Sequence, residues 1–256
     1  MTVPRGSKPR ARRAASAASA VWARMVHRDT AAGYDLARAL SSVLAPQYRF
    51  SEPGRAWMAD EAFLGQYRAL TGGALLEMAD KKVTLRSLAR WTRGVPGQVA
   101  ECGCYRGVSS WFLAEETEGT DKRLHLFDSF EGVSAPTSAD GGHWQEHDLR
   151  ADEDECRRLL APFGERIALH RGWIPDRFAD VEDETFSLVH VDVDLYEPHR
   201  DSIDFFWPRL ATGGVMVFDD YGSTFCPGAR RAVDEAFDPE EIVELPTAQA
   251  FVVKRG

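Results

Sequence analysis

The chain lacks several features that would place it outside ordinary globular proteins. Among its 256 residues no apolar run approaches the ~18 residues that a membrane-spanning helix needs. The apolar core of a signal peptide is missing as well, because Arg12, Arg13 and several serines interrupt the first segment. Only four cysteines are present, and Cys102 and Cys104 form C-x-C rather than the C-x-x-C of redox and zinc sites. We therefore expect free thiols, no membrane partner and a cytoplasmic location.

Acidic side chains are absent from the start of the chain and in excess elsewhere. Residues 1–28 contain seven of the 31 Lys and Arg residues and none of the 40 acidic residues. The remainder, with 24 basic and 40 acidic side chains, has a net charge of −16. Such an acidic body argues against nucleic acid as the main ligand. We interpret the basic start as a solvated arm, with an oligomer contact or a targeting segment as alternatives, and we expect a homo-oligomer.

The pattern of apolar residues changes at Pro96-Gly97. Residues 1–95 read as a basic arm followed by helices over 20–44, 61–70 and 75–91, the last with an apolar stripe that includes Met78 and Trp91. Over 96–256, short apolar runs alternate with amphipathic segments, which is typical of a parallel sheet covered by helices on both faces. The runs are 99–102, 124–127, 167–169, 186–191 and 215–218, with helices at 109–117, 153–160, 177–181, 199–210 and 229–237. A closing hairpin of strands over 241–245 and 250–253 suits an antiparallel edge.

The first apolar run leads directly into a glycine loop, VAECGCYRGVSS. Glu101, Gly103 and Gly107 give E-x-G-x-x-x-G, which is neither the dinucleotide-binding pattern nor a Walker loop. Glycine allows a ligand to approach the backbone closely, and the amides of the next helix face that ligand. An acid in place of a phosphate-binding lysine suits an ammonium group. A plain strand-to-helix turn is the structural alternative.

Asp128 ends the second apolar run, 25 residues after Gly103. An acid at this point binds ribose hydroxyls in nucleoside-binding α/β folds, although a helix or turn cap is the alternative. An acid suited to an ammonium group, a glycine loop and an acid suited to ribose hydroxyls together favour S-adenosylmethionine as the ligand. The predicted fold is then the α/β class I methyltransferase sheet, Rossmann-like and seven-stranded, with its last strand antiparallel and an N-terminal helical extension. The other residues predicted to contact this cofactor are Tyr105, Ser109, Ser129, Gly172, Trp173 and Asp192.

Four aspartates follow two of the apolar runs. VHVDVDLY contains Asp192 and Asp194, and FDDY contains Asp219 and Asp220. Carboxylates at the ends of buried strands are costly unless a positive group is bound beside them. Mg²⁺ prefers oxygen ligands, so these segments predict a magnesium site.

Five segments in this order resemble the macrocin O-methyltransferase family: VAECGCYRGVSS, LFDSFEG, VHVDVDLYEP, FFWPRLATGGVMVFDDYG and PGARRAVDEAF. The resemblance covers about 95–253 and implies a Mg²⁺- and S-adenosylmethionine-dependent enzyme that methylates sugar hydroxyls on natural products. It implies metal ligation by Asp192, Asp219 and Asp220, with Asp194 as the general base. His199 stands where the family commonly has threonine, so it joins Asp192 and Asp194 as a catalytic candidate.

The expected chemistry agrees with these roles, because a sugar hydroxyl is a poor nucleophile until a metal ion acidifies it and a carboxylate takes its proton. One alternative is a catechol-like O-methyltransferase, whose phenolic acceptors are already acidic. The other is a nucleoside-binding regulator without catalysis. The loop over 132–149, which contains His143, Trp144 and His147, is predicted to be a lid or a wall of the acceptor site. The sequence identifies neither the acceptor nor the hydroxyl.

Overall fold

A computed structural model describes residue 40 and residues 56–73, 76 and 78–256. The segments predicted over 1–20 and 20–44 lie outside these residues, apart from Leu40. The chain divides into two compact units, Met1–Leu76 and Glu77–Gly256. This boundary falls before the helix that precedes Pro96. The division into a helical extension over 1–95 and a core over 96–256 stays a prediction. Across the described residues, no helix combines the length and apolarity needed to cross a membrane.

The described part of the first unit is a short 3₁₀ helix, Ala56–Ala59, followed by helix α1, Glu61–Thr71. Asp60 caps α1, because its side chain accepts the amide hydrogen of Phe63 at 3.0 Å. Gly72 ends the helix in the left-handed conformation, with φ 62°. The helix predicted over 61–70 is thus confirmed.

The second unit begins with helix α2, Ala79–Trp91, which ends in a 3₁₀ turn. Among the described residues of its predicted apolar stripe, Leu85 and Leu88 are buried. Met78 and Trp91 are each 59% exposed, so that part of the prediction is wrong. Lys81 and Lys82 are instead 7% and 8% exposed. A face of this helix that buries two lysines requires acidic partners elsewhere in the fold.

The second unit contains a seven-stranded mixed sheet in the order β3-β2-β1-β4-β5-β7-β6. The first five strands are parallel, and β7 runs antiparallel to both β5 and β6. The strands are β1 Gln98–Cys102, β2 Leu124–Asp128, β3 Ile167–Arg171, β4 Phe186–Val191, β5 Leu210–Phe218, β6 Val243–Glu244 and β7 Ala250–Val253. The predicted fold class is confirmed, and β5 is longer at its start than predicted.

Four helices lie between the strands at positions that the sequence predicts to within a few residues. They are α3 Val108–Glu116, α4 Glu153–Leu160, α5 Tyr196–Phe206 and α6 Pro227–Ala236. The segment predicted as a helix over 177–181 forms one 3₁₀ turn, Phe178–Val181. Helix α5 starts three residues earlier than predicted, so the YEP segment lies within its first turn.

The sheet has an apolar core on each face. Leu126 and Phe127 are neighbours in β2, yet Leu126 packs in the cluster with Leu113 and Phe127 in the cluster with Phe206. Successive strand residues point to opposite faces, so a strand covered on both sides is apolar throughout. This explains why the apolar runs in the sequence are continuous rather than alternating.

The strand order reverses between β1 and β4. From β1 the chain moves outward to β2 and β3, then returns to β4 and continues to β5 on the other side. Ligands of open α/β sheets bind outside the carboxyl ends of the strands at such a switch point. The glycine loop and the first aspartate pair leave the sheet at this position.

Candidate active site

The carboxyl ends of β1, β4 and β5 bring the glycine loop and the aspartates to one edge of the sheet. Cys102 is paired with Val191, and Val191 with Phe218. The next residue on each strand continues this pairing, since Asp192 donates its amide to Cys102 at 2.8 Å and Asp219 to Val191 at 3.0 Å. Two segments that are 27 residues apart in sequence therefore end side by side.

Gly103 has a structural role at this edge. Its φ is +81°, and a Cβ there would lie 1.9 Å from the carbonyl oxygen of Asp192. No other residue fits such a contact without moving a strand. Gly107, with φ +85°, precedes α3 and directs its N-terminus. The loop geometry that the sequence predicts for a ligand is thus also required by the packing of β1 against β4.

Glu101 is fully buried and belongs to a charged chain inside the site. Its Oε1 lies 2.9 Å from Nδ1 of His190, and Nε2 of His190 lies 3.3 Å from Oδ1 of Asp219. Both ring nitrogens face carboxylates, so both carry hydrogens. Burial opposes the charge, but the hydrogen bonds to Asp219 and Glu101 raise the pKa of His190 to about 10. Ser110 donates its hydroxyl to Glu101.

Lysine side chains from α2 enter the same cluster. The ammonium group of Lys81 donates to the carbonyl oxygen and to Oδ2 of Asp219, both at 2.8 Å, and lies 3.4 Å from Oδ1 of Asp220. Burial alone would raise the pKa of Asp219, but the charges of Lys82, His190 and Lys81 hold it well below its usual range. Gln249 donates to Oδ1 of Asp219 at 2.7 Å. Asp219 is therefore an ionised, fully bonded carboxylate.

The other three aspartates are less well neutralised. Burial and the charges of Asp219 and Asp220 raise the pKa of Asp192 well above its usual range. Burial and the charge of Asp220 raise the pKa of Asp194 to about 7. Asp194 also has φ 59°, a conformation that Asp adopts more readily than most residues. Asp220 Oδ2 is buried and has no hydrogen bond within the described part of the chain.

The predicted metal ligands fall into two groups of close oxygen, nitrogen and sulfur atoms. Atoms of His190, Asp192 and Asp219 lie within 4.8 Å of one another, and so do atoms of Asp194, Asp220 and Cys226. Asp219 and Asp220 point into different groups, and Lys81 contacts one oxygen of each. The cluster therefore contains carboxylates in excess, with the lysine ammonium at the junction of the two groups.

The predicted nucleoside side of the site lies at the ends of β2 and β3. Asp128 Oδ2 accepts the amide hydrogen of Tyr105 at 2.8 Å, and Oδ1 accepts that of Phe130 at 2.7 Å. Asp128 thus ties the glycine loop to the turn after β2, in which Ser129 accepts the amide hydrogen of Glu131. A carboxylate has about four acceptor sites, so Asp128 keeps capacity for a further donor.

Gly172 lies at the same edge, because its amide donates to the carbonyl oxygen of Asp128 at 2.9 Å. Trp173, which follows it, is half-buried. The assignment of these residues, of Ser129 and of Ser109 to cofactor contacts stays a prediction.

His199 is fully buried in α5. Its Nδ1 donates to the carbonyl oxygen of Leu195 at 2.9 Å, and its Nε2 has no partner in the described chain. Burial lowers the pKa of His199 to about 4. The imidazole is therefore neutral near pH 7 and a weaker base than Asp194.

The loop over 132–149 is anchored next to these residues. Asp140, only 2% exposed, accepts the amide hydrogen of Tyr196 at 2.6 Å and that of Thr137 at 2.7 Å. Trp144 Nε1 donates to Cys226 Sγ at 3.4 Å, and that thiol lies 3.5 Å from Oδ1 of Asp194. An aromatic side chain of the loop thus reaches the predicted base through one intervening residue.

Several residues of this site were missed by reasoning from the sequence. They are Lys81, Lys82, Ser110, Asp140, His190, Cys226 and Gln249. His190 carried a signal, since it is a polar residue inside an otherwise apolar strand. Lys81 and Lys82 carried no such signal, because lysines in an amphipathic helix are typical of its solvent-exposed face.

Fold and site together define the class. A seven-stranded sheet with an antiparallel end, a glycine loop after β1 and an acid after β2 form the class I methyltransferase fold. The structure is similar to that of CalS11, a calicheamicin methyltransferase, with a TM-score of 0.62 and 18% identity, over 81% of this chain and 95% of that one. That likeness concerns the fold.

The chain belongs to the macrocin-O-methyltransferase (TylF) family, whose model matches residues 42–249. Two relatives are 8-demethyl-8-(2,3-dimethoxy-alpha-L-rhamnosyl)-tetracenomycin-C 4'-O-methyltransferase of Streptomyces olivaceus and demethyldecarbamoylnovobiocin O-methyltransferase of Streptomyces niveus. Each is 28% identical to this chain, over 53% and 55% of its length. The matched segments span 57% and 58% of those two relatives.

Proposed function

We propose that the chain transfers a methyl group from S-adenosylmethionine to a hydroxyl of a sugar on a glycosylated natural product. The observation that carries this proposal is the position of Asp194. It lies at the switch point of a methyltransferase sheet, within one of the two groups of close ligand atoms, and it contacts Cys226, which also contacts Trp144 of the loop over 132–149. Family membership and the sugar acceptor named for one relative, the tetracenomycin 4'-O-methyltransferase, support the substrate class.

The residues on the nucleoside side fit S-adenosylmethionine, which supplies the methyl group. Asp128 keeps acceptor capacity for a ribose hydroxyl, and the loop between Gly103 and Gly107 leads to the N-terminus of α3, where backbone amides favour a ligand. Glu101 is less suited to bind the ammonium group of the cofactor directly, because it has no exposed surface and binds His190 and Ser110. We assign Glu101 a positioning role, in which it holds the start of the glycine loop and acts as the counter-ion of His190.

A divalent cation such as Mg²⁺ fits the carboxylate cluster. When all five carboxylates are ionised they outnumber the three cations by two charges, and a divalent ion neutralises that excess. The carboxylates are Glu101, Asp192, Asp194, Asp219 and Asp220, and the cations are Lys81, Lys82 and His190. Asp220 Oδ2, buried without a partner in the described chain, is an available hard ligand. Asp192, Asp219 and Asp220 would hold the ion, which acidifies and orients a hydroxyl.

Asp194 takes the proton of the acceptor hydroxyl. Burial and the charge of Asp220 raise its pKa to about 7, into the range that suits a general base. Its left-handed backbone turns the side chain away from the line of β4 and toward Cys226. The side chains of the loop over 132–149 would then exclude water from the acceptor. The homo-oligomeric state stays a prediction.

The test is methyl transfer to a deoxysugar glycoside by the wild-type protein and by Asp194→Asn. We expect kcat to fall by ~10²- to 10⁴-fold, the usual contribution of a general base, while binding of S-adenosylmethionine by calorimetry is unchanged. A catechol acceptor serves as a control, because its hydroxyl is already acidic and depends less on the base.

Two results would count against the proposal. Full activity of Asp194→Asn on the glycoside would show that Asp194 is not the general base. Undiminished methyl transfer in excess EDTA would show that the reaction does not need a metal ion. Activity on catechols alone would favour the catechol-like alternative, and cofactor binding without transfer to any acceptor would favour the regulator.

A further inference from the structure

Lys81 occupies oxygen atoms that the proposed metal site requires. Its ammonium group contacts Oδ2 of Asp219 at 2.8 Å and Oδ1 of Asp220 at 3.4 Å. The side chains are almost completely buried, with 9% exposure for Lys81 and 3% for Asp219. A cation and an ammonium group cannot share these oxygens at bonding distance, because like charges repel strongly in such a weakly screened site.

The other carboxylate oxygen of Asp219 is already hydrogen-bonded. Its Oδ1 already accepts from Gln249 at 2.7 Å and faces Nε2 of His190 at 3.3 Å. Ligation of a metal by Asp219 must therefore proceed through Oδ2, the atom bonded to Lys81. The carbonyl oxygen of Asp219, also 2.8 Å from the ammonium group, keeps the lysine attached to the backbone of the same turn.

We propose that Lys81 is an internal counter-ion of the metal-free site, and that it competes with a divalent cation for Asp219 and Asp220. This inference rests on the metal site of the proposed function. Lys81 neutralises the two adjacent aspartates when no cation is present. Metal binding displaces its ammonium group from Oδ2, and the neighbouring Lys82 keeps a positive charge near Asp219 and Asp192 throughout. The lysine thus lowers the affinity for metal and stabilises the metal-free fold.

The experiment measures Mn²⁺ binding by electron paramagnetic resonance or calorimetry, without S-adenosylmethionine or acceptor. The proteins compared are wild type, Lys81→Met, Lys81→Gln and the control Lys254→Met. Met retains the length of the side chain without charge, and Gln retains a hydrogen-bond donor in case the Met variant does not fold. Lys254 contacts Trp207 outside the cluster, so its replacement removes one positive charge without freeing a ligand.

We expect Lys81→Met and Lys81→Gln to bind Mn²⁺ at least about tenfold more tightly than wild type, within the range of coupling between close charges. Lys254→Met should match wild type. In EDTA the melting temperature of Lys81→Met should fall, and Mn²⁺ should raise it more than in wild type by mass action.

Equal Mn²⁺ affinity of wild type and both Lys81 variants would overturn the inference while leaving the metal site intact. Absence of Mn²⁺ binding in every variant would overturn it too, and EDTA-insensitive methyl transfer would then show that the metal part of the proposed function fails as well. If methyl transfer is sensitive to EDTA but wild type and the Lys81 variants bind Mn²⁺ equally, only the proposed role of Lys81 is wrong.

Discussion

The buried neutral imidazole of His199 should make the protein lose stability as the pH falls from 7 to 5. The pKa of His199 is lowered to about 4 by burial, whereas an unfolded histidine titrates near ~6.5. Between these values the unfolded chain binds a proton that the folded chain excludes, so stability declines as the pH drops below the unfolded pKa and the decline levels off near pH 4. At pH 5 this amounts to about 2 kcal/mol for this one group.

The test replaces His199 by Thr, the residue that the family commonly has at this position. The Thr hydroxyl can donate to the carbonyl oxygen of Leu195, as Nδ1 of His199 does at 2.9 Å. Urea unfolding of wild type and His199→Thr is measured at pH 7 and pH 5 by tryptophan fluorescence. The variant should lose about 2 kcal/mol less than wild type over this interval.

The matched control is Ser202→Ala in the same helix, where the hydroxyl donates to the carbonyl oxygen of Pro198 at 2.7 Å. It removes a buried hydrogen bond but no titrating group, so it should lower stability equally at both pH values. If wild type and His199→Thr lose the same free energy between pH 7 and pH 5, the imidazole is not excluded from protonation. His199 would then be a candidate for the base alongside Asp194.

Two further predictions concern the backbone and the loop. Gly103→Ala should prevent soluble expression or lower the melting temperature severely, because its Cβ would lie 1.9 Å from a carbonyl oxygen, whereas Gly142→Ala, with nothing within 4 Å, should behave as wild type. A normal melting temperature for Gly103→Ala would refute this packing argument. Asp140→Ala should accelerate proteolytic cleavage within 132–149 about tenfold, since leaving a buried amide unpaired costs ~1–3 kcal/mol. The exposed Glu146→Ala is its control, and equal cleavage rates would show that Asp140 does not hold the loop.

The positions of the strands and of the residues at their ends could be predicted from the sequence, because both depend on local patterns. Continuous apolar runs mark strands buried on both faces, and a polar residue directly after such a run lies at the carboxyl edge. This is why Gly103, Asp128, Asp192 and Asp219 were placed correctly at one edge of the sheet. The family resemblance extended the same reasoning to chemical roles that the pattern alone does not contain.

The charge partners could not be predicted in this way. Lys81 lies 138 residues from Asp219, and Glu101 lies 89 residues from His190. The spacing of apolar residues along a helix favours Met78 and Trp91 for the buried face of α2, because lysine is ordinarily a solvated residue. The hydrogen bond from Ser110 to Glu101 depended on the phase of α3 against β1, which the sequence does not contain.

By itself, the sequence determined the α/β class, the order of strands and helices, and the identity of the residues at the strand ends, since these follow from hydrophobic periodicity and glycine geometry. Only the tertiary structure decided how the carboxylates are neutralised. Parallel pairing of β4 with β5 forces Asp192 and Asp219 together, and the packing of α2 beside them delivers Lys81. The energy of a buried charge depends on its distance to other charges, and that distance is a property of the fold rather than of any local segment.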